Sequence, residues 1–506
     1  MIEQSPSIVI VGGGTAGWLA AGILASKLAG PSPHGPKIVV LEPKGSSPIG
    51  VGEGTWPTMR GSLYHMGVNE RDFLHACDAS FKQGSKFIGW ADGMDAYYHP
   101  FTPPKGFDAI TATEVWGATT GISYADLASI QPAACEGFKA PKLAATADFQ
   151  GNLNYGYHFD AVKVSDFLRR HCRDRLGVAH ITATISDVRQ DSRGYLTELR
   201  LDDGSALAGG LFVDCTGMNA VLIERVLGSR RLPCGNILLA DTALAHPVSR
   251  LGSDEPIASA TLSTATGAGW IWDIGLQSRR GVGHVYSSAH SDEDKAITTL
   301  LGYIRSSGHD ANEGDVRKIP IAAGYRQMPW IKNCVALGLA MGFVEPLEAS
   351  SIMMTELGAQ LIASLLSFDR TEMAYAASQF NQRATMRWEE ILDFIKLHYV
   401  LSRRDEPFWR DNRLPHTISD RLREWLTVWA HRPPAADDFY LAADTFPLES
   451  YNYVLNGMGH RATVPRWRKR LIPASDTQRY VDRARRLQAE VLPQFPTNRD
   501  LLGSSA

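Results

Sequence analysis

Cysteine is scarce in this 506-residue chain. Its six residues, Cys77, Cys135, Cys172, Cys215, Cys234 and Cys334, are scattered with no C-x-x-C spacing. That argues against a zinc site, or any metal centre of that kind, and against a disulfide framework. It favours reduced thiols in a cytoplasm. No apolar run is long enough to span a bilayer. No long basic block is present, and the formal net charge is −3, so neither nucleic acid nor a membrane is implied as a partner. The start of the chain, MIEQSPSIVIV, has no basic n-region and does not read as a signal peptide. Internal repeats and low-complexity segments are also missing.

What is present is an ordinary globular composition, 44% hydrophobic and 21% charged. The length allows two lobes, or one large domain with an elaborated insertion. Ser7–Val11 reads as a buried parallel strand, GGGTAGW follows, LAAGILASKLA reads as a helix, and KIVVLEP at 37–43 as a second strand. This is a βαβ unit opening a doubly wound sheet. Residues 91–155 are rich in Gly, Pro, Thr and aromatics and read as an insertion of loops and short elements. A helix is expected over about 160–176, hairpins to 217, and mostly helix after NCVALGLAMGF.

Gly12, Gly14 and Gly17, with Thr15 and Ala16 between the last two, satisfy G-x-G-x-x-G between strand and helix. Gly12 permits the tight turn, Gly14 the approach of a pyrophosphate, and Gly17 close packing of the helix, whose N-terminus faces the phosphates. Glu42 ends the second strand where a ribose-binding acid is expected. Two further apolar runs ending in small residues, FVDCTG at 212–217 and VALGLA at 335–340 with Gly338, are typical of FAD-binding folds rather than of a simple NAD domain.

Three segments carry candidate chemistry. In SFKQGSKFIGW, Lys82 and Lys86 stand at i,i+4, the spacing of one helix face. Both are then solvated, or one is buried among aromatics as a catalytic amine or hydrogen-bond donor. In GFVEPLEASSI, Ser350 or Ser351 is placed to cap a helix whose free N–H groups attract a small anion. Glu348, just before it, either favours the helix start or handles a proton. In GWIWDIGL, an extended strand projects Trp270 and Trp272 to one side, Ile271 and Asp273 to the other. The indoles then fill a core, or form a wall governing what touches a flavin.

Taken together and in order, GGGTAGW, IGVGEGTWP at 49–57, SFKQGSKFIGW, YHFDA at 157–161, DCTGM, WIWDIG, FVEPLEASSI and PTNRDLL resemble the flavin-dependent tryptophan halogenase family across essentially the whole chain. The resemblance implies FAD used as FADH2 from a separate flavin reductase, dioxygen, and chloride or bromide oxidised to hypohalous acid. Lys82 matches the lysine that positions this acid or carries its halogen, and Glu348 the glutamate that assists the lysine and the ring deprotonation. Ser350 and Ser351 match a backbone halide site, and His99 and Phe101 residues that sandwich the aromatic substrate. Trp270 and Trp272 match a motif that keeps substrate from the flavin. The implied fold is α/β: a doubly wound, glutathione-reductase-like FAD-binding sheet with an added, mainly helical substrate-binding part. The division expected is 1–90 with 156–400 for the FAD part, and 91–155 with 401–506 for the substrate part. A flavin-dependent aromatic monooxygenase and a non-catalytic flavin-binding protein are the competing readings. The oligomeric state, a homodimer included, is left open.

The chain departs from the family pattern at Gly275, where proline is usual and a looser turn is expected, and at Ala349, where serine is common. Residues 439–459 hold no tryptophan and are shorter than in the tryptophan-specific members. Glu449 is the one candidate for the amino-acid clamp. These departures point to indole-like or larger aromatic substrates rather than free tryptophan.

Overall fold

The computed structural model describes residues 7–29, 35–45, 52–103, 109–119, 121–439, 445–463 and 473–503. Residues 49–51 of IGVGEGTWP and 440–444 of the shortened segment lie outside them. The chain forms two compact units, 1–78 with 159–234 and 322–388, and 79–158 with 235–321 and 389–506. Residues 235–321, grouped by the sequence reading with the FAD-binding part, thus fall in the second unit.

The first unit carries a six-stranded sheet in the order Trp330–Ile331, Cys334–Ala336, Leu211–Asp214, Ser7–Val11, Lys37–Glu42, Ala179–Thr182. All neighbours are parallel except the first pair. Strand order reverses on either side of Ser7–Val11, and the loop after that strand is where such sheets bind ligands. Ile8–Val11 is an unbroken apolar run because these residues are covered on both faces. The helix Thr15–Leu24 follows, its Gly and Ala residues letting it lie against Ala161–Arg175 and Ser350–Leu365. The Asp160 side chain caps Ala161–Arg175, accepting from the N–H groups of Val162 (3.0 Å) and Lys163 (3.2 Å). Ile185–Gln190, Leu196–Leu201 and Ala206–Ala208 form the expected hairpins.

The second unit is built on a seven-stranded sheet: Arg317–Pro320, Thr242–Ser249, Arg279–Tyr286, Gly269–Gly275, Thr261–Thr266, Gly84–Ile88, Ala96–Pro100. Trp270 and Trp272 stand near its middle. The alternation expected of a strand holds: Ile271 packs into an apolar cluster with the helix Glu293–Ser306, and Asp273 pairs with Arg280 and accepts from the Tyr303 hydroxyl (3.2 Å). Outside this sheet the unit holds the strand Ser80–Lys82 and several helices, including Tyr124–Ala128, Gln131–Glu136, Asp420–Trp429 and Leu448–Gly457. Among the described residues no helix is long and apolar enough to cross a membrane.

Two local expectations fail. SFKQGSKFI is not helical. It forms two short strands, Ser80–Lys82 and Gly84–Ile88, broken at Gly84, where φ is +152° and an added Cβ would lie 2.4 Å from the His99 carbonyl oxygen. The i,i+4 spacing of Lys82 and Lys86 is therefore a coincidence of sequence. Nor is Gly275 in a loose turn. It is the last residue of its strand, paired with Arg280, and its carbonyl accepts from the Ser80 hydroxyl at 2.5 Å.

Candidate functional site

In the first unit the proposed cofactor residues converge. Gly12 has φ +112°, and a Cβ there would lie 2.3 Å from the Cys215 carbonyl oxygen. A Cβ on Gly17 would lie 1.9 Å from the Gly12 oxygen. One on Gly338 would meet Ala16 Cβ at 2.6 Å, so the loops after the first and last parallel strands touch. Thr15, Ala16 and Gly338 are half-buried. The Gly13 backbone lies against Glu42, whose Oε1 is 2.7 Å from His180 Nε2. Gly14 alone in this loop faces open space. That surface, at a helix N-terminus without a side-chain cap, fits a dinucleotide pyrophosphate.

The loop at 214–217 is fixed by Asp214, fully buried, whose carboxylate accepts from the Thr216 N–H (3.0 Å) and hydroxyl (2.6 Å) and the N–H groups of Leu222 and Ile223 (both 2.8 Å). The loop at 338–340 is held by Arg326, which donates to the Ala340 carbonyl (2.7 Å), the Ser229 carbonyl and Glu224. Neither anchor was identified from sequence, because a buried Asp or Arg carries no periodic signal.

Glu348 is 6% exposed and sits in a left-handed conformation (φ 67°, ψ 5°), as does Ala349 (φ 53°, ψ 44°). Each such residue costs about 1–2 kcal/mol, so two in succession must be held by their surroundings. Trp56 supplies one restraint, donating its indole N–H to the Glu348 carbonyl at 2.6 Å. Neither Ser350 nor Ser351 caps the helix, contrary to the expectation from sequence. The helix Ser350–Leu365 begins at Ser350, its N-cap is Ala349, and no side chain caps it. The Ser350 hydroxyl is buried and has no hydrogen-bond partner among the described residues. Ser351 is half-buried. Two turns along, the fully buried Glu356 accepts from the hydroxyls of Ser62 (2.5 Å) and Thr58 (3.0 Å), tying the helix Thr58–His65, which follows Trp56, to Ser350–Leu365. Burial pushes the Glu356 carboxyl up to about 7, against the pull of those two hydrogen bonds.

In the second unit Lys82 ends its short strand, 1% exposed, with Nζ 5.3 Å from the centre of the Phe101 ring. The strand pairs antiparallel with Gly156–Asp160, Ser80 opposite His158 and Lys82 opposite Gly156, so Ser80, Lys82 and His158 share one face. His158 is fully buried. Its Nε2 lies 2.8 Å from Thr261 Oγ1, and its Nδ1 has no partner among the described residues. Burial first and the Lys82 ammonium second hold His158 well below the usual imidazole range, so the ring beside the lysine is neutral. Lys86 is separate, paired with Glu136 at 2.5 Å toward solvent.

His99 is buried at 4% exposure, its Nε2 2.8 Å from Ser450 Oγ on the helix Leu448–Gly457 and its ring 5.6 Å from that of Phe394. Glu449 is half-buried on the first turn of the same helix. Trp270 and Trp272 stand on one side of their strand, ring centres 6.4 Å apart. Trp270 continues into a cluster with Trp90, and Trp272 lies across Gly283, where a Cβ would come within 2.1 Å of the indole.

The tryptophan halogenase family model matches residues 7–474. Tryptophan 6-halogenase ThaL of Streptomyces albogriseolus is 32% identical over 483 residues, 90% of this chain and 88% of that protein. A solved tryptophan halogenase from Shewanella frigidimarina is 38% identical and superposes with a TM-score of 0.93, covering 100% of this chain and 98% of that one. BrvH, a flavin-dependent halogenase from Brevundimonas sp. BAL3, is 30% identical with a TM-score of 0.88, covering 99% of each chain.

Two expectations test this geometry. Gly14→Ala should fold as the native chain does, because its methyl meets no protein atom, yet bind FAD on the order of tenfold more weakly in a fluorescence titration. Gly12→Ala, at positive φ against Cys215, should instead lower the melting temperature. Native binding by Gly14→Ala would remove the pyrophosphate from this surface. For Glu356, the folded chain keeps a proton between about pH 4.5 and 7 that the unfolded chain has released, so its contribution to stability falls as pH rises through that window and is constant above it. Glu356→Gln removes this dependence. Relative to the native chain, the variant should gain on the order of 2–3 kcal/mol between pH 5 and pH 8 in denaturant unfolding, and parallel pH profiles would refute the assignment.

Proposed function

The chain belongs to the tryptophan halogenase family, and on that premise we propose a flavin-dependent halogenase in which Lys82 delivers an electrophilic halogen to an electron-rich, indole-like ring. The observation that carries this reading is the setting of Lys82: a lysine sealed from water on a sheet strand, its ammonium over Phe101 and a neutral imidazole on the same strand face. A cation is costly to bury, and a purely structural lysine on the surface would avoid that cost.

When bound, FADH2 with dioxygen and a halide supplies hypohalous acid, the halide losing two electrons and one oxygen atom leaving as water. A separate reductase provides the reduced flavin, since no second nucleotide loop for a nicotinamide is evident in the chain. Gly12, Gly14, Thr15, Ala16, Gly17, Glu42 and Gly338 hold the dinucleotide. Ser350 and Ser351 receive the chloride or bromide, a role favoured by the uncapped helix start and the partnerless Ser350 hydroxyl.

The Lys82 ammonium donates a hydrogen bond to the oxygen of hypohalous acid and leaves its halogen directed at the ring. The aromatic π electrons form the carbon–halogen bond as the halogen–oxygen bond breaks. The departing hydroxide takes a proton to leave as water, and the ring proton passes to a carboxylate, the role of Glu348. Phe101 and His99 border the ring. Trp270 and Trp272 keep the organic substrate from the flavin. Their rigidity supports this, with Trp272 seated on a glycine and the end of their strand tied to Ser80.

Free tryptophan is a poor substrate in this reading, and indole-like or carrier- or peptide-bound aromatics are better ones. The support is the short, tryptophan-free stretch at 439–459 and the helix Leu448–Gly457. The polar residues Ser450 and Asn452 on that helix are engaged within the fold, with His99 and Thr113.

With reductase, NADH and bromide, Lys82→Ala should lose brominated product by at least about a hundredfold while binding FAD as before. Retained bromination would end the proposed role. On an aromatic panel read by mass spectrometry, indole should turn over faster than tryptophan, and the reverse order would overturn the substrate reading.

A further inference from the structure

The motif PTNRDLL at 496–502 has no part in the chemistry above, yet every polar residue in it is committed. Thr497 and Asp500 form a reciprocal cap at the start of the short helix Asn498–Gly503: the Asp500 N–H donates to the Thr497 hydroxyl (3.0 Å) and the Thr497 N–H to the Asp500 carboxylate (3.3 Å). Arg499 donates to the backbone carbonyls of Glu255 (3.0 and 3.2 Å) and Gln277 (3.1 Å). The Gln277 side chain in turn donates to the Ala79 carbonyl at 2.6 Å. The Asn498 N–H donates to the Phe138 carbonyl at 2.7 Å.

These contacts aim one side chain. Asn498 is fully buried, and its amide makes a two-point pair with the backbone of Phe81: Nδ2 donates to the Phe81 carbonyl (3.1 Å), and Oδ1 accepts the Phe81 N–H (3.4 Å). Phe81 immediately precedes Lys82. On one edge of this three-residue strand runs Gly156–Asp160. On the other edge the primary amide of Asn498 supplies the donor and acceptor that a neighbouring strand would otherwise provide. A three-residue strand paired, among the described residues, with one other strand is a weak mount for a catalytic group.

We propose that Asn498 is a positioning residue for Lys82, acting as a one-residue stand-in for a missing strand. This rests on the reading of Lys82 as the group that delivers the halogen. The amide is suited to the task because it offers one donor and one acceptor side by side, whereas a carboxylate at the same place would offer only acceptors to a carbonyl. Misplacement of a reacting group by about 1 Å costs on the order of a hundredfold in rate.

The test separates oxidant made from oxidant used. The full chain with reductase, NADH, bromide and indole is run with and without an added β-diketone that traps free hypobromous acid. In Asn498→Ala and in the isosteric Asn498→Asp, the ratio of bromoindole to trapped bromine should fall at least about tenfold, with the KM for bromide unchanged. Where Asn498→Ala does not fold, Asn498→Asp, which keeps the acceptor and replaces the donor with a second acceptor, carries the test. A purely structural role would lower both products together and leave the ratio at its native value, and that result overturns the proposal. If the native chain brominates nothing on the panel, the halogenase reading fails instead, and a native chain whose ratio does not depend on Lys82 fails in the same way.

Discussion

The strand that bears Lys82 is constrained by the cost of burying an ammonium group. At 1% exposure Lys82 lies out of bulk water, its ammonium over the Phe101 ring and a neutral imidazole on the same strand face. A cation in such a place is poised to donate to a small polar guest, because the low-dielectric surroundings strengthen each hydrogen bond it makes. The same surroundings penalise displacement, so the backbone beneath it must not drift. The Ser80 hydroxyl on the Gly275 carbonyl, the Gly156–Asp160 strand on one edge and the Asn498 amide on the other all act on the three residues that end in Lys82.

The first unit is built differently, around loops that leave backbone uncovered. Its loops are crowded on the protein side, where a methyl on Gly12, Gly17 or Gly338 would collide, and open on the outer side at Gly14. The anchors lie beneath: Asp214 satisfying four donors and Arg326 spanning three partners. The left-handed pair Glu348–Ala349 is the strained element, restrained by Trp56 at the Glu348 carbonyl.

Much of this was legible beforehand, for reasons that differ by element. The parallel strands and the glycine loop carry a strong local signal, apolar runs followed by turns that only glycine can make, and the structure has them where that signal puts them. The two-residue period put Trp270 and Trp272 on one side and Asp273 on the other. The lysine segment misled because i,i+4 spacing belongs to helices, and the break at Gly84 depends on the approach of His99, 15 residues away in sequence. The helix start at Ser350 misled for a related reason. Two non-glycine residues in left-handed geometry leave no mark in the sequence, and serines that look like caps are then displaced into the first turn. Glu356 and Asn498 were out of reach, since their partners, Ser62 and Phe81, lie 294 and 417 residues away.

The last of those separations has a consequence for biogenesis. Contacts between the two ends of a chain carry the largest loop-closure cost and form late. Synthesis proceeds from the N-terminus at a finite rate, and the strand bearing Lys82 leaves the ribosome some four hundred residues before Asn498 does. A nascent or C-terminally clipped chain can wind the dinucleotide loop early, yet the lysine strand keeps an unfilled edge until residue 498 arrives. By this separation the second edge of the lysine strand is filled only after residue 498 has been made.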